Sequence, residues 1–437
     1  MKNYSTASTR PDSLTGAIAA FEGINEACIL LNGPLGCKVY VSYMASLLSP
    51  RLSTPKADYL SDFYFGQSRV PCTYIDEQDF IYGTEHKVTQ ALKMLDSKNY
   101  GLIGVVNHSG TSLIGDDLSR IIQSSNINTP AVPIESSGFN GTYASGFQNA
   151  VTKILSCITP KADKKVPKSV NLIGYTLFHY NWENDVAELE RMLELFGVKV
   201  ISTLCTADSI ANIKSASQAE LNVVVHEEYG NTIASFMEKE YGIPHIGLEI
   251  GSPYGLSASE IWFKDIAGFF KLTDEPINTE SARIRKKCYP TLLRATAINN
   301  HLRGLPFGIF GDSSQVTSVT AFLYEYLGMC PVVVGVKEVG ANSLDMLKTY
   351  LAENSLETKI LVNPDQYELA DCLNETTPRL VFGGRIEEKI VLSLKFPAQF
   401  IPFSFPYYDR VNLTSRPIVG FNGVLTLVEE IINYNKK

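Results

Sequence analysis

The feature that most constrains the fold is a repeated alternation between short apolar runs and longer stretches with helical spacing. The runs Ala27–Leu31, Val170–Tyr175 and Pro306–Phe310 each open a unit in which a helical pattern follows. Such alternation is typical of parallel sheets whose crossover helices cover both faces. The sequence therefore predicts an α/β fold of three doubly wound, Rossmann-like domains with parallel sheets.

The boundaries between these domains are set by composition and by the order of the units. The stretch Lys161–Lys168 is polar and charged, as expected of a linker, and Glu275–Arg303 predicts a long helix leading into the last unit. We therefore expect an N-terminal domain over 1–165, a second over 166–300 and a third over 301–437. Sites in such sheets lie beyond the carboxyl ends of the strands, often between domains.

Charge and hydropathy exclude several classes of protein. The formal net charge is −8 and the pI about 5.4, whereas a nucleic-acid-binding surface needs an excess of Lys and Arg. No secretory signal follows the first residues, and no apolar run approaches the roughly 20 residues that span a membrane. We expect a cytoplasmic protein without membrane or nucleic-acid partners. Because GxxxxGK[ST] is missing, we also expect no nucleotide to bind to this chain.

Eight cysteines are scattered along the chain without a CxxC pair. This spacing argues against a self-contained zinc or ferredoxin-like site. In the cytoplasm they are not expected to form disulfides, and most fit plain core positions.

One cysteine lies in a distinctive turn. The segment Asn-Gly-Pro-Leu-Gly-Cys, residues 32–37, directly follows a predicted strand. Gly33 and Gly36, with the proline, let the backbone turn tightly and present Cys37 and nearby N–H groups at the end of that strand. N–H groups that hydrogen-bond sulfur tune the potential of an iron–sulfur cluster. Taken alone, however, the turn fits a buried structural cysteine better than a cluster ligand.

Five ordered segments resemble the nitrogenase component 1 family. They are Leu14–Ala17, which resembles the family's first cluster loop, then Gly33–Cys37, Asp76–Gly83, Leu113–Asp117, and Phe405–Arg410 together with Gly420–Gly423. Each is short, but their order along nearly the whole chain is similar to that of the β-type subunits. The resemblance implies three Rossmann-like domains and a heterotetramer with an α-type subunit. It also implies an iron–sulfur cluster at the subunit interface and electron delivery by an ATP-dependent iron-protein reductase.

The resemblance also implies where this chain departs from its family. Cys37 stands at a cluster-ligand position, but Asp12 and Ser13 stand where another cysteine is expected, and Ser109 stands at a third ligand position. We therefore expect no eight-iron cluster with three cysteines from this chain. A 4Fe-4S cluster is expected instead, with most ligands donated by the partner chain.

Three residues are further candidates around that cluster. Asp12 is able to supply an oxygen ligand, as an aspartate does in the related protochlorophyllide reductase, but it fits a helix N-cap at least as well. Ser109 fits a hydrogen-bonding loop residue better than a ligand. Cys72 precedes the acidic segment, and we include it with Cys37 as a candidate metal ligand.

The catalytic metal cofactor of the α-type chain is implied to be absent here. Glu227, after His226, stands at the position of the cofactor cysteine, so the soft ligand is lacking. His226 fits either a substrate pocket or, more simply, a satisfied core histidine. We expect Arg410 to pair with Asp409, and we assign no catalytic residue.

Three functions remain open from the sequence. The first is a redox enzyme subunit that passes electrons to a small-molecule substrate or cofactor in the complex, with dinitrogen the least expected substrate. The second is a non-catalytic scaffold for cofactor assembly, although such β-type chains carry their cluster cysteine in a different loop from Cys37. The third is a cluster-free small-molecule binding protein, because the fold alone does not determine function.

Overall fold

The computed structural model of the chain describes residues 11–48, 70–135, 141–248, 251–297, 302–410 and 412–434. Within these ranges the strands form three separate parallel sheets, and helices follow most of the strands. The predicted α/β class with parallel sheets is confirmed.

The first sheet has three strands in the order β1-β2-β3. Its strands are β1 (Ala27–Asn32), β2 (Leu102–Asn107) and β3 (Ala131–Ile134), and its helices are α1 (Ser13–Glu22), α2 (Leu35–Leu48), α3 (Asp79–Tyr82), α4 (Glu85–Asp96), α5 (Leu118–Ser124) and α6 (Tyr143–Ile158). Strands β1 and β2 are buried along their whole length. Their continuous apolar character follows from coverage on both faces.

The second sheet has four strands in the order β5-β4-β6-β7. Its strands are β4 (Ser169–Ile173), β5 (Lys199–Thr203), β6 (Leu221–Val224) and β7 (His245–Ile246), and its helices are α7 (Trp182–Leu195), α8 (Ile210–Ser215), α9 (Glu227–Tyr241), α10 (Leu256–Phe269) and α11 (Glu275–Ala297). The strand order reverses direction between β4 and β6, which is a topological switch point.

The third sheet has five strands in the order β10-β9-β8-β11-β12. Its strands are β8 (Pro306–Gly311), β9 (Cys330–Val336), β10 (Lys359–Val362), β11 (Leu380–Gly383) and β12 (Gln399–Pro402), and its helices are α12 (Ser313–Leu327), α13 (Ala341–Glu353), α14 (Gln366–Thr376), α15 (Arg385–Val391) and α16 (Gly420–Tyr434). Here the order reverses between β8 and β11, so this sheet is also doubly wound.

Two apolar cores join the three sheets. One core runs from β4 and α7 through α10 to β8, α12 and α16. The other joins α1 and β1 to α6 and α9. Each sheet falls within one of the three predicted segments, but the cores cross between them. The domain boundaries themselves stay a prediction.

The C-terminal segment closes the molecule differently from the sequence expectation. The pairing of Arg410 with Asp409 is wrong, because Arg410 Nη1 lies 2.8 Å from Glu430 Oε2 of α16. Asp409 instead pairs with Arg385 at 2.8 Å. The two neighbouring side chains thus pair with different elements, Arg410 with α16 and Asp409 with α15. In the described ranges, no helix is both long and apolar enough to cross a lipid bilayer.

Candidate cluster-binding site

The carboxyl ends of β1 and β2 are tied together by a buried amide. Asn32 Nδ2 donates to Asn107 Oδ1 on β2 and to Thr84 Oγ1, both at 2.9 Å. Thr73 Oγ1 donates to Asn32 Oδ1 at 2.9 Å. A buried amide needs such partners, and these bonds gather three further chain segments around the turn that follows Asn32.

The turn itself is shorter than the sequence suggests. Helix α2 begins at Leu35, so Gly36 and Cys37 lie in its first turn and not in the loop. Gly33 is required by packing, because a Cβ there would lie 2.9 Å from His108 Cβ. At Gly36 a Cβ would meet no atom of the described residues within 4 Å. In the described part of the chain, Gly33 therefore has a close neighbour and Gly36 does not.

Cys37 is half-buried at the start of α2. Its Sγ lies 3.0 Å from His108 Nε2, and burial raises the pKa of the thiol. Sequence reasoning missed His108. The available signal was its position directly after β2, because the carboxyl ends of adjacent parallel strands meet at one edge of the sheet.

Cys72 lies beside the same turn. Its backbone forms a parallel bridge with Leu31 of β1, and its Sγ donates to the Gly33 carbonyl oxygen at 2.9 Å. Burial raises the pKa of the Cys72 thiol, the charge of Lys38 lowers it, and Cys37 raises it. The two candidate thiols therefore share one electrostatic environment.

Asp12 and Ser109 have local structural roles. Asp12 caps α1, accepting from Thr15 N at 2.9 Å and from Thr15 Oγ1 at 2.7 Å. Burial lowers the pKa of His108, and the negative charge of Asp12 raises it. Asp12 is therefore near His108. Ser109 is half-buried, and its carbonyl accepts from Ser112 Oγ at 2.9 Å. Leu14–Ala17, expected as a loop, lies within α1.

The remaining family-like segments near the site also have structural explanations. Asp116 Oδ2 accepts from Thr84 N at 2.6 Å, at the start of α4, and a Cβ at Gly83 would lie 2.8 Å from Asp116 Oδ1. In the acidic segment, Lys87 Nζ lies 2.9 Å from Asp76 Oδ2. These contacts hold the acidic segment against the end of β2.

The carboxyl ends of β1 and β2, with the turn that carries Cys37, form what we call the corner. The surface over this corner is apolar and exposed. Tyr40 is 78% exposed, Tyr82 84% and Leu113 77%. Further exposed apolar side chains lie on α2, on α3 or in the segment just before α3: Leu35, Val39, Tyr43, Tyr74, Phe80 and Ile81. Many exposed large apolar side chains on one part of a surface are typical of a protein-interaction site.

The donors in this corner suit an iron–sulfur cluster in kind but not in number. Thiolates are the ligands that iron–sulfur clusters use, and Cys37 and Cys72 supply two. Among the described residues, however, no three His, Cys, Asp or Glu side chains converge to hold a metal ion. These two thiols alone do not complete the four-cysteine ligand set of such a cluster.

A second polar region lies between the second and third sheets. Glu227, which follows β6, accepts from Asn342 N at 3.0 Å and from Ser343 N at 2.8 Å at the start of α13. Glu228 accepts from Ser314 N at 2.6 Å at the start of α12. Each carboxylate thus caps a helix N-terminus, where negative charge is favoured. Glu227 therefore links the end of β6 to α13 of the third sheet, and both of its carboxylate oxygens already accept hydrogen bonds.

Two buried histidines lie beside this link. The rings of His179 and His226 stack with centroids 4.2 Å apart. Burial lowers the pKa of His179 to about 3 and lowers that of His226, whereas burial raises the pKa of Asp312 to about 7. His226 Nδ1 lies 3.1 Å from Ser314 Oγ. The satisfied-core interpretation of His226 therefore fits this nitrogen, although its Nε2 has no partner among the described residues.

The space at this junction is small. A cavity of about 20 Å³ is lined by His179, Tyr229, Asp312 and Lys337, among others. That volume has room for about one water molecule. A large metal cofactor does not fit there, and the residue at the expected ligand position is already used as a helix cap.

Comparison with known proteins gives one consistent family. The nitrogenase iron-molybdenum cofactor biosynthesis protein NifE of Methanococcus maripaludis is 24% identical over 95% of this chain and 81% of its own length. The nitrogenase molybdenum-iron protein beta chain of Methanococcus maripaludis is 24% identical over 96% of this chain and 91% of its own length. One of the subunits of the light-independent protochlorophyllide reductase of Zygnema circumcarinatum is 22% identical over 83% of this chain and 73% of its own length.

The fold agrees with these relatives. A solved structure of nitrogenase Cp1 at pH 6.5 superposes with a TM-score of 0.80 at 20% identity, covering 100% of this chain and 94% of that one. The profile of the family described as Nitrogenase component 1 type Oxidoreductase matches residues 13–435. Because this match spans nearly the whole sequence, the chain belongs to the nitrogenase component 1 type oxidoreductases.

Proposed function

We propose that the chain is a β-type subunit of a nitrogenase-like iron–sulfur reductase and binds part of a 4Fe-4S cluster. Cys37 and Cys72 are the proposed ligands, and the observation that carries the proposal is their placement. Both thiols lie beside one turn at the carboxyl end of β1, with Cys37 half-buried and Cys72 2.9 Å from the Gly33 carbonyl. When bound, such a cluster supplies one-electron transfer.

An α-type subunit is the proposed partner at this corner. The exposed apolar surface around Cys37, including Tyr40 and Leu113, would be covered by that subunit. The relatives include both a beta chain and an alpha chain of the nitrogenase molybdenum-iron protein. The partner would also contribute the ligands that this chain lacks.

The chain's own residues prepare the site for a reduced, negatively charged group. Lys38 lies beside Cys37 in sequence, and its ammonium sits 4.6 Å from the Tyr74 ring centroid. Burial raises the pKa of Cys72, and the positive charge of Lys38 opposes that rise, in the direction of the thiolate that binds iron. Electrons would come from a separate ATP-hydrolysing iron protein, since this chain has no phosphate-binding loop. The substrate would be a small molecule reduced in the complex, in the cytoplasm.

A cofactor-assembly scaffold is the second candidate. Its specific support is the 24% identity to a nitrogenase cofactor biosynthesis protein. Turnover separates the two candidates: a reductase consumes reduced iron protein and ATP catalytically, whereas a scaffold releases its bound metal group to an acceptor once.

Iron content is the first test of the proposal. The chain would be purified anaerobically, alone and co-expressed with a candidate α-type subunit, and iron and acid-labile sulfide measured. Cys37→Ala would be run in parallel with Cys157→Ala, because Cys157 is an exposed cysteine on α6, outside the proposed site. We expect a brown complex that loses most of its iron in Cys37→Ala and keeps it in Cys157→Ala.

Other outcomes reject the proposal. Equal iron in both variants would remove Cys37 from the ligand set. A colourless, iron-free complex in every combination would favour the third function, a cluster-free small-molecule binding protein.

A further inference from the structure

His108 is held rigidly beside the Cys37 thiol. Its backbone N–H donates to the Asn32 carbonyl at 2.9 Å, and its carbonyl accepts from Thr111 Oγ1 at 2.8 Å. On its other side, His108 packs against the turn: a Cβ placed on Gly33 would lie only 2.9 Å from His108 Cβ. The turn that carries Cys37 and the imidazole therefore fix each other's place.

The hydrogen bonds determine which nitrogen carries the proton. The Gly110 backbone N–H donates to His108 Nδ1 at 3.2 Å, so Nδ1 must be the bare acceptor. An imidazole whose Nδ1 accepts a hydrogen bond is neutral and carries its proton on Nε2. The Nε2–H group consequently faces Cys37 Sγ at 3.0 Å.

We propose that His108 is a positioning residue whose Nε2–H donates a hydrogen bond to the Cys37 sulfur and thereby raises the reduction potential of the bound cluster. This inference rests on the proposed function, in which Cys37 binds the cluster. It assigns His108 a role distinct from that of a ligand. With Nδ1 occupied by Gly110 and Nε2 protonated, neither nitrogen presents a lone pair to a metal ion.

The direction of the effect follows from charge. A reduced cluster carries one more negative charge than an oxidised one, and that charge is shared with the ligand sulfurs. A donor aimed at such a sulfur stabilises the reduced state more than the oxidised state, so it raises the potential. Loss of the donor should therefore make the cluster harder to reduce.

The potential of the loaded complex tests this directly. Three variants would be compared with the wild type by redox titration: His108→Phe removes the donor, His108→Gln retains a side-chain N–H, and His86→Phe is the control. His86 belongs to the same lobe but its side chain is 68% exposed. We expect His108→Phe to keep its iron and to lower the one-electron equilibrium constant for reduction about tenfold, which is about 59 mV. His108→Gln should recover part of that shift, and His86→Phe should leave the potential unchanged.

Loss of iron in His108→Phe with retained far-UV circular dichroism would make His108 a ligand and overturn the proposal. An unchanged potential in that variant would overturn it as well.

A second measurement needs no cluster. The chain has six histidines, so selective ¹⁵N-histidine labelling of the iron-free protein allows His108 to be assigned by comparison with the variant. We expect the Nε2–H form, and a protonated Nδ1 would refute the hydrogen bond. An iron-free wild-type complex would reject the proposed function instead, and the tautomer would then still decide whether His108 donates to Cys37.

Discussion

The corner around Cys37 and the junction around Glu227 both follow a parallel strand, but their polar side chains are used differently. Both lie at the carboxyl ends of parallel strands, β1 and β6, where ligand sites are expected. At the junction, the Glu227 carboxylate accepts a hydrogen bond from the backbone at the N-terminus of α13. At the corner, Cys37 is half-buried beneath an exposed apolar surface. A strand end thus provides the position of a site, and the packing of the neighbouring lobe determines whether its polar side chains are already hydrogen-bonded within the chain.

This contrast predicts opposite responses to mutation. Substitutions at the junction should lower stability, since its carboxylates hold two lobes together. Substitutions at the corner should change what binds and leave stability nearly intact. Four experiments test that division, from the largest expected change in stability to the smallest.

The largest effect is expected for Glu228→Ala. It removes the acceptor of Ser314 N, at 2.6 Å, and of Ser314 Oγ, at 2.8 Å. A buried donor left without a partner is costly, and the carboxylate also complements a helix N-terminus. We expect the free energy of unfolding to fall by about 3 kcal/mol, measured by urea denaturation. Glu240→Ala, near the end of the same helix, is the control, and a loss as large in the control would break the comparison.

The second effect is a change in the pH dependence of stability. The folded-state pKa of His179 is lowered to about 3 from 6.5, so the unfolded chain takes up this proton first as the pH falls. Stability conferred by the neutral ring is therefore present above pH 6.5 and is lost as the pH falls from 6.5 toward 3. In this pH range we expect His179→Asn to reduce the slope of the unfolding free energy against pH. The reduction corresponds to about one proton, roughly 1.4 kcal/mol per pH unit.

Asparagine is chosen because its Oδ1 can replace His179 Nδ1 as the acceptor of Thr176 N, at 3.0 Å. The carboxyl groups of Glu228 and Asp312, whose pKa values are raised to about 7, act in the opposite direction but are common to both proteins. Unfolding curves between pH 4 and 7 would be compared, and parallel curves would show that His179 is charged in the folded protein.

A third, smaller effect tests Asp12 as a cap. Removing the acceptor of Thr15 N in Asp12→Ala should lower the free energy of unfolding by about 1 kcal/mol, whereas Asp12→Asn should cost only a few tenths. We expect iron content to be the same in Asp12→Asn and the wild type. A drop in iron in Asp12→Asn without loss of stability would make Asp12 an oxygen ligand. It would then belong with Cys37 among the binding residues of the corner.

The smallest change in stability is expected for Cys37→Ser in the iron-free chain. The side chain is half-buried and the substitution is nearly isosteric, so the free energy of unfolding should change by no more than about 0.5 kcal/mol. Denaturation of both chains without metal checks this value. A large loss would mean that Cys37 is a structural residue like those of the junction.

Much of the fold was predictable because it follows from local patterns. Strand β1 was expected over Ala27–Leu31 and is observed over Ala27–Asn32. The apolar run Pro306–Phe310 was likewise expected to open a unit, and it is observed as β8, Pro306–Gly311. Helix α1 was missed, and its segment was taken for a loop, because it is apolar on nearly every side and shows little helical periodicity.

The candidate site was predictable only in part. Cys37 and Gly33 were found because strand, turn and cysteine are adjacent in sequence, and both lie at the expected strand end. His108 was not found, since it is separated from Cys37 by 71 residues. No local spacing links them, and only the parallel pairing of β1 with β2 brings the two strand ends together.

The sequence by itself therefore determined the α/β class, the bounds of most central strands and the family, because hydrophobic periodicity and short turn motifs are local properties. The tertiary structure decided which side chains meet. It turned Glu227 toward a helix 115 residues away, gave Arg410 a partner on α16, and placed Cys37 beside His108. Those outcomes depend on how three sheets pack, and packing fixes contacts that no window of sequence contains.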